Sequence, residues 1–142
     1  MSLRRKLAQF RTKPASERRL AIEAAFYLAV ARLLLVYVPF RRIAPRLARQ
    51  PRDAREADPA TRADIRRAVT TAARHVAWNA ACLPQAIAAK FMLARRGCKS
   101  TLRLGVGRNE AGAFAAHAWL EAGDGIVVGE ASVEQMTPIA EL

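Results

Sequence analysis

Apolar positions follow a helical period in three long segments of the chain and a strand period after residue 100. In the first segment Leu20, Ala24, Tyr27, Ala31, Leu34 and Val38 recur every three or four residues, predicting a helix over 17–38 with Ser16 as cap and Pro39 as stop. Polar, Arg-rich sequence around Pro45 and Pro51 then predicts a connection from Ile43 to Ala57, with room for a short helix. Asp58-Pro59 suits a helix start, and Ile65, Val69, Ala72 and Val76 supply its apolar face. A third helix is expected from Cys82 to Arg96, with Leu83, Ile87, Phe91 and Ala94 on one side and Gly97 as terminator.

Beyond Gly97 the spacing changes to two, because Leu102, Leu104 and Val106 alternate with Arg103 and Gly105. Ala113 to Ala122 and Ile126 to Glu130 read as two further strands around Gly123-Asp124-Gly125, a hairpin signal. Helices followed by an antiparallel sheet make an α+β fold, with the Cys82 helix packed on the sheet. The 142 residues suffice for one domain with its own core. We divide them into a basic N-terminal helical region and linker, 1–57, and a chemistry-bearing core, 58–142.

Charge sharpens that division. The net charge is +12, and residues 1–75 hold 18 Lys/Arg against 6 Asp/Glu while the remainder is balanced. Such a field favours acidic partners, among them nucleic acid, an anionic membrane or an acidic peptide, although solvated Arg faces on helices account for it equally well. The apolar stretch from Leu20 to Phe40 has the length of a membrane span. Arg32 near its middle would cost about 2.5–3.5 kcal/mol there, and arginines flank both ends, so a helix buried in protein or lying on a partner is expected. Two cysteines and an N-terminus without signal-peptide pattern point to the cytoplasm.

Chemistry enters with Cys82 and His117. A thiol is a strong nucleophile only as thiolate, and a helix start stabilises that anion through its dipole and free N–H groups. The same N–H groups can hold an oxyanion, and a histidine on a neighbouring strand can carry the proton to a leaving amine. If the hairpin loop is Gly123-Asp124, counting back sets Glu130 opposite His117 as its orienting acid. If the loop is Asp124-Gly125, Ser132 takes that place and Glu130 lies diagonal on the same face. A three-residue loop would send Glu130 to the other face. Taken singly, Cys82 is more often a small buried hydrophobe, His117 a structural histidine and Glu130 a strand-end charge; their conjunction is what points to chemistry. Cys98, just past the helix-ending Gly97, is read as structural, and the Cys and His spacings match no standard zinc site.

The stretch Trp78-Asn79-Ala80-Ala81-Cys82-Leu83-Pro84-Gln85-Ala86-Ile87, with Leu93-Ala94-Arg95-Arg96-Gly97, Leu104-Gly105-Val106-Gly107 and Ala116-His117-Ala118-Trp119-Leu120-Glu121, resembles the lasso-peptide leader peptidases. These are transglutaminase-like cysteine proteases. The resemblance covers Asp58 to Glu130 and implies a transglutaminase-like, papain-like core over 58–142. It implies Cys82 as nucleophile, His117 as base, and Trp78 and Leu83 as oxyanion or substrate-binding residues. Where the family often has an aspartate this chain has Glu130, with Asp124 as the alternative third member. The implied activity is removal of the leader from a ribosomally made precursor, without cofactor or metal. The implied partners are the precursor peptide, a separate leader-recognition protein and, as a further candidate, the lasso cyclase. Nucleic acid is not expected, and peripheral membrane contact is compatible with the apolar helix.

Two alternatives use the same residues differently. One is a non-enzymatic basic module on nucleic acid or anionic membrane, which leaves the Cys82 and His117 motifs unexplained. The other is acyl transfer to an amine, as in true transglutaminases.

Overall fold

Asp58 opens a helix because its carboxylate accepts a 2.7 Å hydrogen bond from the Thr61 N–H while Pro59 occupies a position that needs no donor. The computed structural model describes residues 2–76, 81–108, 111–130, 133 and 136–142. Their order is α1 (Leu3–Arg11), α2 (Ala15–Tyr37), α3 (Phe40–Leu47), α4 (Pro59–His75), α5 (Cys82–Arg95), β1 (Thr101–Arg108), β2 (Phe114–Ala122), β3 (Gly125–Val128) and β4 (Met136–Glu141). The strands form an antiparallel sheet in the order β3-β2-β1-β4, so the fold is α+β as the periodicity predicts.

Three elements differ from the sequence reading. α1 and β4 were not expected, and α2 begins at Ala15 after Pro14, with no side-chain cap, so Ser16 is helical instead of capping. The short helix of the linker is α3, which begins at Phe40.

α5 is the central element. Its consecutive Ala86, Ile87, Ala88, Ala89 and Lys90 are all buried, and so are Met92 and Leu93, because helices press on one side of it and the sheet on the other. The small alanines let those neighbours approach closely. α2 contributes Ala24, Leu28 and Ala31, α4 contributes Ile65 and Val69, and the sheet contributes Leu102, Ala118, Leu120 and Ala122 to the same core. Each large side chain buried there contributes about 1.5–3 kcal/mol. α2 thus shares its core with elements on the far side of residue 57.

Polar ties fix the ends. Glu23 on α2 accepts two 2.8 Å hydrogen bonds from the Arg96 guanidinium, and Arg95 lies 3.3 Å away. Gly97, at φ +70°, ends α5 in the left-handed conformation, with the Cys98 N–H donating to Leu93 O at 2.9 Å. The linker is pinned to the start of the sheet by a paired Gln50 side chain and Ser100 backbone, and by Arg55 beside Cys98.

Candidate active site

Cys82 is the first residue of α5. Ala81 precedes it with no side-chain cap, and the first turn contains no acidic residue, so the positive end of the helix dipole acts on the thiol without local competition. Pro84 has no N–H, which makes the backbone N–H groups of Cys82 and Leu83 the donors this helix start offers. Both side chains are half-buried against the core. Trp78 lies outside the described residues. Cys98 is buried at the other end of α5, and both cysteines are free thiols.

His117 stands on β2, opposite Gly105 of β1. Strand alternation divides β2 cleanly. Ala118, Leu120 and Ala122 join the core beneath α5, whereas His117, Trp119 and Glu121 point to the opposite face with Arg103 and Gly105. Trp119 is nevertheless almost fully buried, at 1% exposure. Its ring lies over Gly105, its Nε1–H donates to Glu121 at 3.0 Å, and it stacks on the His117 ring with centroids 6.2 Å apart and planes at 23°. Glu121 is held in turn by Arg103 at 2.8 Å, and Arg103 also pairs with Glu141 of β4. A chain of contacts therefore runs from the outer strand to the histidine ring.

The partner of His117 is the Gly129 carbonyl, 2.7 Å from Nε2. A carbonyl oxygen only accepts, so Nε2 carries the hydrogen, and in the neutral ring Nδ1 keeps its lone pair. This is the tautomer that a proton-accepting Nδ1 requires.

Glu130 does not stand beside His117, which corrects the hairpin count. The loop is Gly123-Asp124, with Ala122 paired to Gly125, and Gly123 alone of the two has positive φ, at +62°. A β-bulge then intervenes: Glu121 pairs with Ile126 but Leu120 pairs with Val128, leaving Val127 as the extra residue. β3 and its ladder end at Val128, so Gly129 and Glu130 lie beyond the paired strand. Gly129 itself, at φ +86°, packs so closely that a Cβ would lie 2.6 Å from Ala118 O. Glu130 turns instead to Arg66 of α4 in an exposed ion pair. Asp124, at the exposed tip, pairs with Arg62 at 2.5 Å, and that hydrogen bond lowers its carboxyl below the ordinary value. Arg62 also donates to Ala122 O at 2.9 Å and so clamps the turn.

The structure thus brings His117, Trp119 and the Gly129 carbonyl together; among the described residues no hydrogen bond joins the Cys82 thiol to the His117 ring. The Gly129 carbonyl and the Trp119 stack escaped sequence reasoning. The signal for the first was Val127-Val128 followed by glycine, two adjacent apolar residues that break strand alternation, and for the second the spacing of two between His117 and Trp119 on one strand. Among the described residues His75 bonds its own helix, at Thr71 O, and no cluster of three metal-ligating side chains occurs.

A family model described as "Transglutaminase-like superfamily" matches residues 24–141. No curated protein and no solved structure matches the chain.

Proposed function

The chain belongs to the transglutaminase-like superfamily, whose members are generally cysteine-based enzymes of peptidase or acyltransferase chemistry, and on that premise we propose that it is a cysteine peptidase. Its substrate in this reading is a ribosomally made lasso-peptide precursor, from which it removes the leader with the help of a separate leader-recognition protein. The cyclase is a further partner, since it needs the amine that cleavage frees.

What supports the catalytic assignment is the place of Cys82 at the start of α5 together with a His117 tautomer fixed by Gly129 O. In the proposed reaction Nδ1 takes the thiol proton and the thiolate attacks the scissile carbonyl carbon, breaking its π bond onto oxygen. The N–H groups of Cys82 and Leu83 hold that oxyanion. His117 then delivers the proton to the leaving nitrogen as the C–N bond breaks, and water hydrolyses the thioester. For the first transfer the His117 ring, which strand alternation turns to the face away from α5, has to rearrange to come within hydrogen-bond reach of Cys82. The Gly129 carbonyl takes the orienting role that Glu130 was expected to fill.

The test is cleavage of a precursor peptide in the presence of the leader-recognition protein. Cys82→Ala should abolish cleavage and Cys98→Ala should retain it; undiminished cleavage by Cys82→Ala ends the proposal. Acyl transfer shares every step up to the thioester, so the mass of the product, with or without an added amine, separates the two.

A further inference from the structure

From Leu20 to Tyr37 α2 is apolar except at Glu23 and Arg32, yet only part of that apolar surface is covered. Ala24, Leu28 and Ala31 face α4 and α5 and are fully buried. On the opposite side Ile22, Phe26, Leu33, Val36 and Tyr37 fall within one narrow arc at about 100° per residue and are 57–78% exposed. By length and composition α2 could cross a membrane. Its packing forbids that, because Glu23 is tied to Arg96 and the inner face belongs to the core.

A second element points the same way. α1 buries no residue, and Leu3, Leu7 and Phe10 align along it at intervals of four and three, with Arg4, Arg5, Lys6 and Arg11 around them. Phe10 and Ile22 line a common cavity of about 320 Å³ between α1, α2 and α4, so the two apolar stripes adjoin. Lys6, Lys13 and His75 are the titratable groups in that cavity, and it has no acidic lining residue. Ile22 also lines the wider groove on the other flank of α2, which makes the helix a ridge standing between two depressions.

We propose that the outer face of α1 and α2 lies on the surface of an anionic lipid bilayer. Ile22, Phe26, Leu33 and Val36 enter the boundary between headgroups and acyl chains, while Arg and Lys side chains on both flanks reach lipid phosphates. Charge complementarity selects this occupant. Residues 1–49 hold 12 Lys/Arg against Glu17 and the internally paired Glu23, so a second copy of the chain would bring like charges together. Nucleic acid would leave the apolar ridge uncovered. A ridge inserts into a fluid layer without needing a matching groove. The inference does not depend on Cys82 chemistry and stands or falls separately from it.

The experiment is co-sedimentation of the full chain with phosphatidylcholine vesicles and with vesicles containing about one-third phosphatidylglycerol, at low and high salt. The anionic vesicles should bind at least about tenfold more tightly, with the difference collapsing at high salt. The double variant Phe26→Asp/Leu33→Asp should lose about tenfold or more of that binding, with unfolding temperature unchanged because both side chains face away from the core. Leu3→Asp/Leu7→Asp, on the other helix, should weaken it independently. Equal affinity for both vesicle types, binding to neither, or undiminished binding of both double variants overturns the proposal. So does concentration-dependent dimerisation that Phe26→Asp/Leu33→Asp abolishes, or capture of poly-glutamate without vesicle binding, which would give the face to a second copy or to an acidic protein.

Discussion

Alanine at Gly105 would carry its Cβ to 2.7 and 2.9 Å from Cζ3 and Cη2 of Trp119, and to 3.2 Å from Cβ of Met136. Carbon pairs rest at about 3.5–4.0 Å, so the overlap approaches about 1 Å on a buried ring that cannot swing away while its Nε1–H holds Glu121. Overpacking of this kind costs about 1–3 kcal/mol. Replacing a strand glycine normally returns about 0.5–1 kcal/mol, so the net expectation is a loss of up to about 2.5 kcal/mol, centred on about 1 kcal/mol. For 142 residues the unfolding entropy is about 0.3 kcal/mol/K, which converts the loss to a fall of up to about 8 °C in Tm, centred on about 4 °C. Gly125→Ala is the internal control. Its nearest neighbour would be the Arg62 guanidinium at an ordinary 3.8 Å, so that variant should equal or exceed wild type by up to about 1 kcal/mol. Urea and thermal unfolding of both proteins decide the matter by sign. Gly105→Ala as stable as Gly125→Ala would refute the argument that the Trp119 ring fills the space over Gly105.

Glu23→Gln should cost about 1–3 kcal/mol at pH 7, below the usual 3–5 for a broken buried pair because Arg96 remains partly exposed. The hydrogen bond from Arg96 holds the Glu23 carboxyl below its ordinary 4.5, so its contribution is present above that pH and is lost as pH falls further; urea unfolding from pH 7 to 3 should show the wild-type advantage shrinking. Lys90 is buried with Ser100 O at 2.7 Å, and burial lowers its amine from 10.5 to about 8. The unfolded chain then binds the extra proton between about 8 and 10.5, so wild type gains stability as pH rises through that window. Lys90→Met should be about 1–3 kcal/mol more stable than wild type at pH 7, with the gap narrowing toward pH 10, as measured by denaturant midpoints. Glu130→Gln should lose at most about 1 kcal/mol, because its pair with Arg66 is exposed, and should keep near-wild-type cleavage in the precursor assay.

Local chemistry made much of this molecule legible in its sequence. Asp58-Pro59 opens α4, Gly97 closes α5, and the period of the apolar residues gives α2, α4 and α5 and the switch to strands. Each of these depends on residues within a turn or two of one another. The same holds for Cys82 at a helix start, where the dipole that would stabilise a thiolate belongs to the helix itself.

What the sequence alone did not determine depends on contacts distant along the chain. β4 exists because β1 offers an edge to a segment some thirty residues later, and its own Met136-Thr-Pro-Ile-Ala-Glu141 carries little strand signal. The partner of His117 turned on a single residue. Val127 and Val128 both fit the core, at 1% and 2% exposure, and admitting both inserts a bulge that sends Glu130 to Arg66 and aims the Gly129 carbonyl at His117. A one-residue slip reverses every later side chain in a strand, so the identity of the group beside His117 was fixed by core packing, which local pattern cannot see.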